Sequence, residues 1–207
     1  MTIYLYSGTP GSGKSVDAGR QLRYDLSRRT PRPVIANFDI NKDEVRHPEL
    51  FHYVPNHELT ADYLIDFADR WWTNYPDFHE DFIKIYLDEA QLCWNARTWA
   101  SRDRLSMLSL LSQHRKHGMQ VVMIAQSPKM IDNQFRMLIE YEVIHRKVSN
   151  LGLIGGILGT LTFGRLFVKV TTYYSMAERV SSEWFMVRKR DFRIYDSYAK
   201  FQGTDNS

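Results

Sequence analysis

Apolar and polar residues alternate with two periods along this chain, and the switches between them outline its elements. Ile3 to Ser7 is a short apolar run that stops at Gly8, the pattern of a buried strand running into a loop. From Lys14 to Arg29, Ala18, Leu22 and Leu26 recur every four residues and form one helical face. Thr30-Pro31-Arg32-Pro33 ends that helix. Val34 to Ile40 reads as a second strand. Tyr63, Phe67 and Trp71 predict a helix over Asp62 to Trp72, and Ile83 to Leu87 a strand whose polar member is Lys84. Arg104 to His117 reads as a helix with Leu105, Leu108 and Leu111 inward and Gly118 as its left-handed stop. Gln120 to Ala125 and Tyr141 to Val148 read as two further strands. Alternating strands and helices predict an α/β fold, a mostly parallel sheet with helices on both faces.

The pattern changes after residue 150. Leu151 to Phe163 carries no charge and four glycines, which favours a buried hairpin or a subunit contact. A shallow seat in a membrane interface beside Arg165 and Lys169 is the other reading, since 13 residues fall short of the roughly 20 that a spanning helix needs. Leu166 to Tyr174 alternates β-branched and aromatic residues. Trp184 to Val187 and Phe192 to Tyr195 predict further strands, separated by Arg188-Lys189-Arg190. The expected organisation is a core over residues 1–150, a β-rich appendage over 151–201 packed on it, and a disordered tail over 202–207.

Composition narrows the class. Hydrophobic residues make up 43% and charged residues 25% of 207, enough apolar surface for a core. The net charge of +3 is too small to mark a nucleic-acid binder on charge alone. A single cysteine, Cys93, excludes an intrachain disulfide framework and a Cys-based zinc cage, and fits a reducing compartment. The first residues lack the basic and apolar regions of a secretory signal.

The strongest chemical signal is Gly8-Thr9-Pro10-Gly11-Ser12-Gly13-Lys14-Ser15, a full match to G-x-x-x-x-G-K-[ST] between a predicted strand and a predicted helix. Backbone N–H groups must converge on phosphate oxygens, and glycines supply the positive φ angles without obstructing them. The helix that follows turns its positive end to the anion, so Gly8 to Val16 is the predicted nucleotide cradle. Lys14 can reach the β- and γ-phosphates, and the Ser15 hydroxyl can hold Mg²⁺. Asp88 and Glu89 end the strand Ile83 to Leu87. Asp88 can hold Mg²⁺, and Glu89 can polarise a water towards the γ-phosphate. The plainer alternative is a pair of acids at a helix N-terminus. Gln126, after the strand Gln120 to Ala125, can hydrogen-bond water or the γ-phosphate, or simply satisfy a loop. Arg115, in His114-Arg115-Lys116-His117, can stabilise phosphate charge in its own or a neighbouring subunit, or complement a helix dipole. Arg97, Arg102, Arg136 and Arg146 are alternative arginine fingers. Trp71, Trp72, Trp94 and Trp99 could stack on single-stranded DNA, although packing is the favoured reading.

An N-terminal phosphate loop, a strand ending in Asp88-Glu89-Ala90-Gln91, and Gln113-His114-Arg115-Lys116-His117-Gly118-Met119-Gln120-Val121-Val122 leading to Gln126 form a combination. Over residues 1–150 it resembles the zonular occludens toxin (Zot) family, the assembly and export ATPases of filamentous phages. The resemblance implies a P-loop ATPase core akin to the FtsK and HerA pumping motors, using ATP and Mg²⁺. In such motors the catalytic Glu stands beside the metal-binding Asp and a polar sensor sits on the strand between, positions that Glu89, Asp88 and Gln126 match. It also implies a homo-oligomer, often a ring, at the cytoplasmic face of the host inner membrane, extruding single-stranded DNA while coat proteins are added. Family members carry a transmembrane helix after the ATPase domain, and no stretch here is long enough. Remaining readings are a chromosomal or conjugative DNA pump, a small-molecule kinase, and a nucleotide-holding scaffold or toxin without turnover. The Asp88-Glu89 pair favours water attack over transfer to a hydroxyl.

Overall fold

A computed structural model describes residues 2–93 and 101–195, without the side chains at 101, 102, 153 and 154. Eight strands make one sheet: β1 (Ile3–Ser7), β2 (Val34–Ala36), β3 (Phe51–Tyr53), β4 (Ile83–Leu87), β5 (Met119–Ile124), β6 (Tyr141–Lys147), β7 (Leu166–Tyr173) and β8 (Glu178–Met186). Their order across the sheet is β3-β2-β4-β5-β1-β6-β7-β8. Every pair from β3 to β6 is parallel, and β7 and β8 continue the sheet antiparallel to their neighbours. The helices are α1 (Lys14–Ser27), α2 (Ala61–Asn74), α3 (Ala90–Cys93), α4 (Ser101–Gln113), α5 (Asn133–Arg136) and α6 (Gly152–Leu161).

The central strands are apolar because both their faces are covered. Leu5, Ile85, Val121 and Met123 face Leu64, Phe67 and Ala68 of α2 and Met107, Leu110 and Leu111 of α4. On the other face Tyr6, Tyr86, Val122 and Ile124 meet Ala18, Leu22 and Leu26 of α1. Each fully buried leucine contributes about 2 kcal/mol. The α/β architecture with helices on both faces is thus as the periodicity predicts.

Several boundaries and faces differ. β2 stops at Ala36 rather than Ile40, and Phe51–Tyr53 adds a third strand beside it, too short and too polar at His52 to stand out by pattern. In α4, Leu105 is exposed while Met107, Leu110 and Leu111 are buried. A spacing of three drifts about 60° per step off the 3.6-residue turn, so Leu108 and Leu111 meet the core as predicted while Leu105, two steps back, has turned outward. Leu151 to Phe163 forms α6 and not a hairpin. Gly155 and Gly159, one turn apart, let α6 lie against the chain before it: a Cβ at Gly155 would stand 2.3 Å from Val148 O, and one at Gly159 would stand 2.5 Å from Ser149 Cβ. Its other side exposes Ile157 and Leu161. Among the described residues no helix is long and apolar enough to cross a membrane. Trp184 falls inside the long β8, whereas Lys189–Phe192 is a 3-10 turn where a strand over Phe192 to Tyr195 was predicted. Gly118 does take the left-handed conformation after the 3-10 turn His114–His117. Trp71 and Trp72 pack against the core, and Trp72 Nε1 donates to His117 O at 2.9 Å. Trp94, Trp99, Arg97, the Arg102 side chain and the tail over 202–207 lie outside what is described.

A buried ion cluster ties α1 to β6 and β7. Asp17 Oδ2 accepts from His145 Nε2 at 3.0 Å and from Lys169 Nζ at 3.3 Å, with Arg20 at 3.3 Å on the other oxygen. Burial pushes the Asp17 carboxyl up, but His145 and the cations outweigh it and hold it below its ordinary value. Its stabilisation is therefore complete above the ordinary value of 3.8 and is lost as pH falls through the lower folded value. Asp17→Asn is expected to cost about 2 kcal/mol at neutral pH, because it removes the buried carboxylate on which His145, Lys169 and Arg20 converge, while Lys169 keeps Glu183 at 3.6 Å and Arg20 keeps Asp191 at 3.8 Å. Urea denaturation of both proteins between pH 7 and pH 3 checks this: the gap should narrow at the acid end, and a constant gap would contradict the ionic account.

Candidate functional site

The C-terminal ends of β4, β5 and β1, adjacent in the sheet, bring the predicted residues to one edge. After β1 the chain turns through Gly8, with φ 139°, and Gly13 stands at the start of α1 with φ 100°. A Cβ at Gly8 would lie 2.5 Å from His145 O, and one at Gly13 2.6 Å from the Phe167 ring. Both positions thus require glycine for conformation and for space. Gly8 N donates to Gln126 O at 3.2 Å, which ties the loop directly to the end of β5. Phe167 stacks on Phe185 with centroids 5.6 Å apart, and the pair with Val187 supports Val16. The floor under the loop is therefore the β7–β8 hairpin, a contact that no local sequence pattern announced.

Lys14 Nζ donates to Gly8 O at 2.7 Å and Thr9 O at 3.1 Å, across the loop. Burial lowers its pKa, opposed by the Asp88 and Glu89 charges. Thr9, Pro10 and Gly11 are exposed at the lip, with Gly13, Lys14, Ser15 and Val16 half-buried behind them. No side chain caps α1, a Cβ at Gly11 would meet nothing within 4 Å, and buried Ser12 Oγ has no hydrogen-bond partner among the described residues. These donors around an open, left-handed turn fit a nucleotide's phosphates. Ser15 and Asp88 offer the hard oxygens that Mg²⁺ prefers.

Asp88 is buried, and two residues outside the predicted set, Asn37 and Tyr195, hold it directly, with Asn56 behind Asn37. Asn37, just past β2, accepts from Asp88 N at 2.7 Å and donates to Asp88 O at 2.8 Å and to Asn56 Oδ1 at 2.9 Å. Asp88 Oδ1 accepts from Glu89 N at 2.9 Å, and Oδ2 from the Tyr195 hydroxyl. Burial raises the Asp88 pKa, and the hydrogen bonds from Tyr195 and the Glu89 backbone counter it. Glu89 has φ 47°, a left-handed conformation that costs a non-glycine residue about 1 kcal/mol or more. Its carboxylate accepts from Gln91 Nε2. Asn37 left one faint signal, a polar residue inside an apolar run; Tyr195 left none.

Gln126 is exposed beyond β5, between Asp88 and the phosphate loop. Arg115 is not brought there. It precedes β5, pairs with Glu140 at 3.0 Å, and sits at the opposite edge of the sheet, about 20 Å away along the strand. Arg136 donates to Asn133 Oδ1, and Arg146 is exposed on β6.

The sequence pattern described as Zonular occludens toxin (Zot) matches residues 2–202. The chain is 24% identical to the Gene 1 protein of Escherichia phage If1, over 97% of this chain and 60% of that one. It is 23% identical to the Gene 1 protein of Enterobacteria phage fd, over 100% and 62%. It thus spans about three-fifths of the length of these relatives. In fold it is similar to the N-terminal domain of zonular occludens toxin from Neisseria meningitidis (TM-score 0.58, 20% identity, 94% of this chain and 98% of that one). It is also similar to the DNA-packaging ATPase from Sulfolobus Turreted Icosahedral Virus (TM-score 0.53, 11% identity, 88% and 96%). The fold is that of the P-loop ATPases, and with nearly its whole length matched, the chain belongs to the zonular occludens toxin family.

Proposed function

We propose that this chain is the Mg²⁺-dependent, ATP-hydrolysing motor domain of a filamentous-phage assembly and export machine. The observation that carries the reading is the convergence of Lys14, Asp88, Glu89 and Gln126 at one sheet edge, with the Asp-Glu strand one strand removed from the phosphate loop. Family membership and the phage Gene 1 relatives supply the biological setting.

Gly8 to Val16 would cradle the phosphates with backbone N–H groups, and Lys14 would turn from its carbonyl contacts to the β- and γ-oxygens. Ser15 and Asp88 would hold Mg²⁺, which neutralises charge on the phosphate oxygens. Glu89 orients the attacking water and takes its proton. Gln126, bonded through its carbonyl to Gly8, hydrogen-bonds the γ-phosphate or the water and passes its loss to β1. Arg115 stands too far from its own chain's loop, so it serves only in a neighbouring copy of a homo-oligomer, a ring in the fullest version. The cargo is single-stranded DNA with coat protein, at the cytoplasmic face of the inner membrane. A chromosomal or conjugative DNA pump would share this chemistry and differ in cargo.

Mg²⁺-dependent ATP turnover, measured across a protein-concentration series, should rise per subunit as subunits associate. Glu89→Gln should lower turnover by about 10²-fold or more while nucleotide still binds; turnover within twofold of wild type would remove Glu89 from the chemistry. Lys14→Ala should weaken ATP binding roughly tenfold to a hundredfold, the worth of a charge-assisted phosphate contact, as read by fluorescent-nucleotide titration. Binding without turnover in wild type under all conditions, lipid, coat protein and single-stranded DNA included, would instead favour a scaffold.

A further inference from the structure

The segment after β8 returns over α1 to the nucleotide edge, and each of its steps is fixed. Asp191, buried, accepts from Arg188 N at 2.8 Å and pairs with Arg23 at 2.6 Å. Ile194 is 1% exposed and lies so close to α1 that a Cβ at Gly19 would stand 2.8 Å from its methyl. Asn41 N donates to Ile194 O at 2.9 Å. The Tyr195 ring then packs on Phe38 with centroids 4.2 Å apart, and its hydroxyl donates to Asp88 Oδ2. The two partners are 107 residues apart in sequence.

Among the described residues the Asp88 carboxylate therefore has one donor on each oxygen: Glu89 N–H on Oδ1 and the Tyr195 phenol on Oδ2. An ionised carboxylate has about four acceptor positions, so two remain for a hydrated cation. Donors on both oxygens stop rotation about the Cβ–Cγ bond. A phenol is suited to this task. It is rigid, it is held by Phe38, and it is neutral, so it orients the carboxylate without cancelling the charge that attracts a cation. A lysine in its place would compete with the metal.

We infer that Tyr195 is a positioning residue of the Mg²⁺ site: its hydroxyl fixes the plane of the Asp88 carboxylate, so that the segment after β8 completes a site otherwise built from the first half of the chain. This rests on the nucleotide reading above and adds to it a residue that neither the phosphate loop nor the Asp88-Glu89 pair supplies.

The test uses the whole chain and a fluorescent ATP analogue, titrated first in EDTA and then with Mg²⁺ at fixed nucleotide. In Tyr195→Phe, which keeps the ring and its contact with Phe38, the half-saturating Mg²⁺ concentration should rise roughly tenfold, the usual cost of losing a group that orients a metal ligand. Affinity in EDTA should stay within about twofold, since the phosphate loop is untouched. Phe38→Leu, which loosens the ring and keeps the hydroxyl, should shift the Mg²⁺ dependence in the same direction by less. An unchanged Mg²⁺ dependence in both variants overturns the inference, and so does equal weakening with and without Mg²⁺, which would mark Tyr195 as general packing. If wild type binds no nucleotide, the nucleotide reading itself fails and takes this inference with it; if wild type binds with a clear Mg²⁺ dependence that the variants share, only the inference fails.

Discussion

The phosphate loop holds its shape against walls that leave no room for a side chain at two of its glycines. Gly8 is pressed against the carbonyl of His145 and Gly13 against the ring of Phe167. His145 is on β6 and Phe167 on β7, so the walls of an N-terminal loop are made by strands far along the chain. The same two strands carry two hydrogen-bonding partners of Asp17 in the first turn of α1, His145 and Lys169. Loop, helix start and distal strands are thus in direct contact, so a shift at Gly8 or Gly13 is felt by β6 and β7.

That dependence gives residues 166–195 a role beyond extending the sheet. β7 and β8 place Phe167 and Phe185 beneath the loop, and the chain after β8 delivers Ile194 to α1 and Tyr195 to Asp88. α6, inserted between β6 and β7, rests its glycine side on residues 148 and 149 and leaves Ile157 and Leu161 outward. This apolar face and the phosphate loop are thereby supported by the same two strands, β6 and β7.

Much of this was legible in the sequence where a local rule was enough. The phosphate loop is readable because its constraint acts within eight consecutive residues, and the central strands because burial on both faces makes them apolar apart from Lys84 and Gln120. In α4, leucines three apart look periodic while drifting around the helix, so Leu108 and Leu111 face the core and Leu105 does not. The α6 glycines looked like turn residues because a sequence does not distinguish a glycine chosen for φ from one chosen for close approach. Arg115 attracted attention through its neighbours His114 and Lys116, yet the parallel topology puts it at the far edge. Asn37 and Tyr195 were out of reach for a different reason. Their partner, Asp88, is 51 and 107 residues away, and one tyrosine among 12 carries no mark of its position.

The strained backbone at Glu89 follows from how Asp88 is held. Left-handed geometry at a glutamate is unfavourable by an amount comparable to one good hydrogen bond, so it persists only if neighbouring contacts over-determine it. Asn37 takes both the N–H and the carbonyl of Asp88, its amide is held in turn by Asn56, and both oxygens of the Asp88 carboxylate are engaged. With Asp88 fixed, the chain must bend sharply to enter α3, and the bend falls on Glu89. One consequence is that Glu89 N–H points back at the Asp88 carboxylate while the Glu89 side chain is held by Gln91. Two adjacent acids are thereby held by different partners, Asp88 by Asn37 and Tyr195 and Glu89 by Gln91, and a backbone angle separates them. Neither acid has to find its place when the ligand arrives.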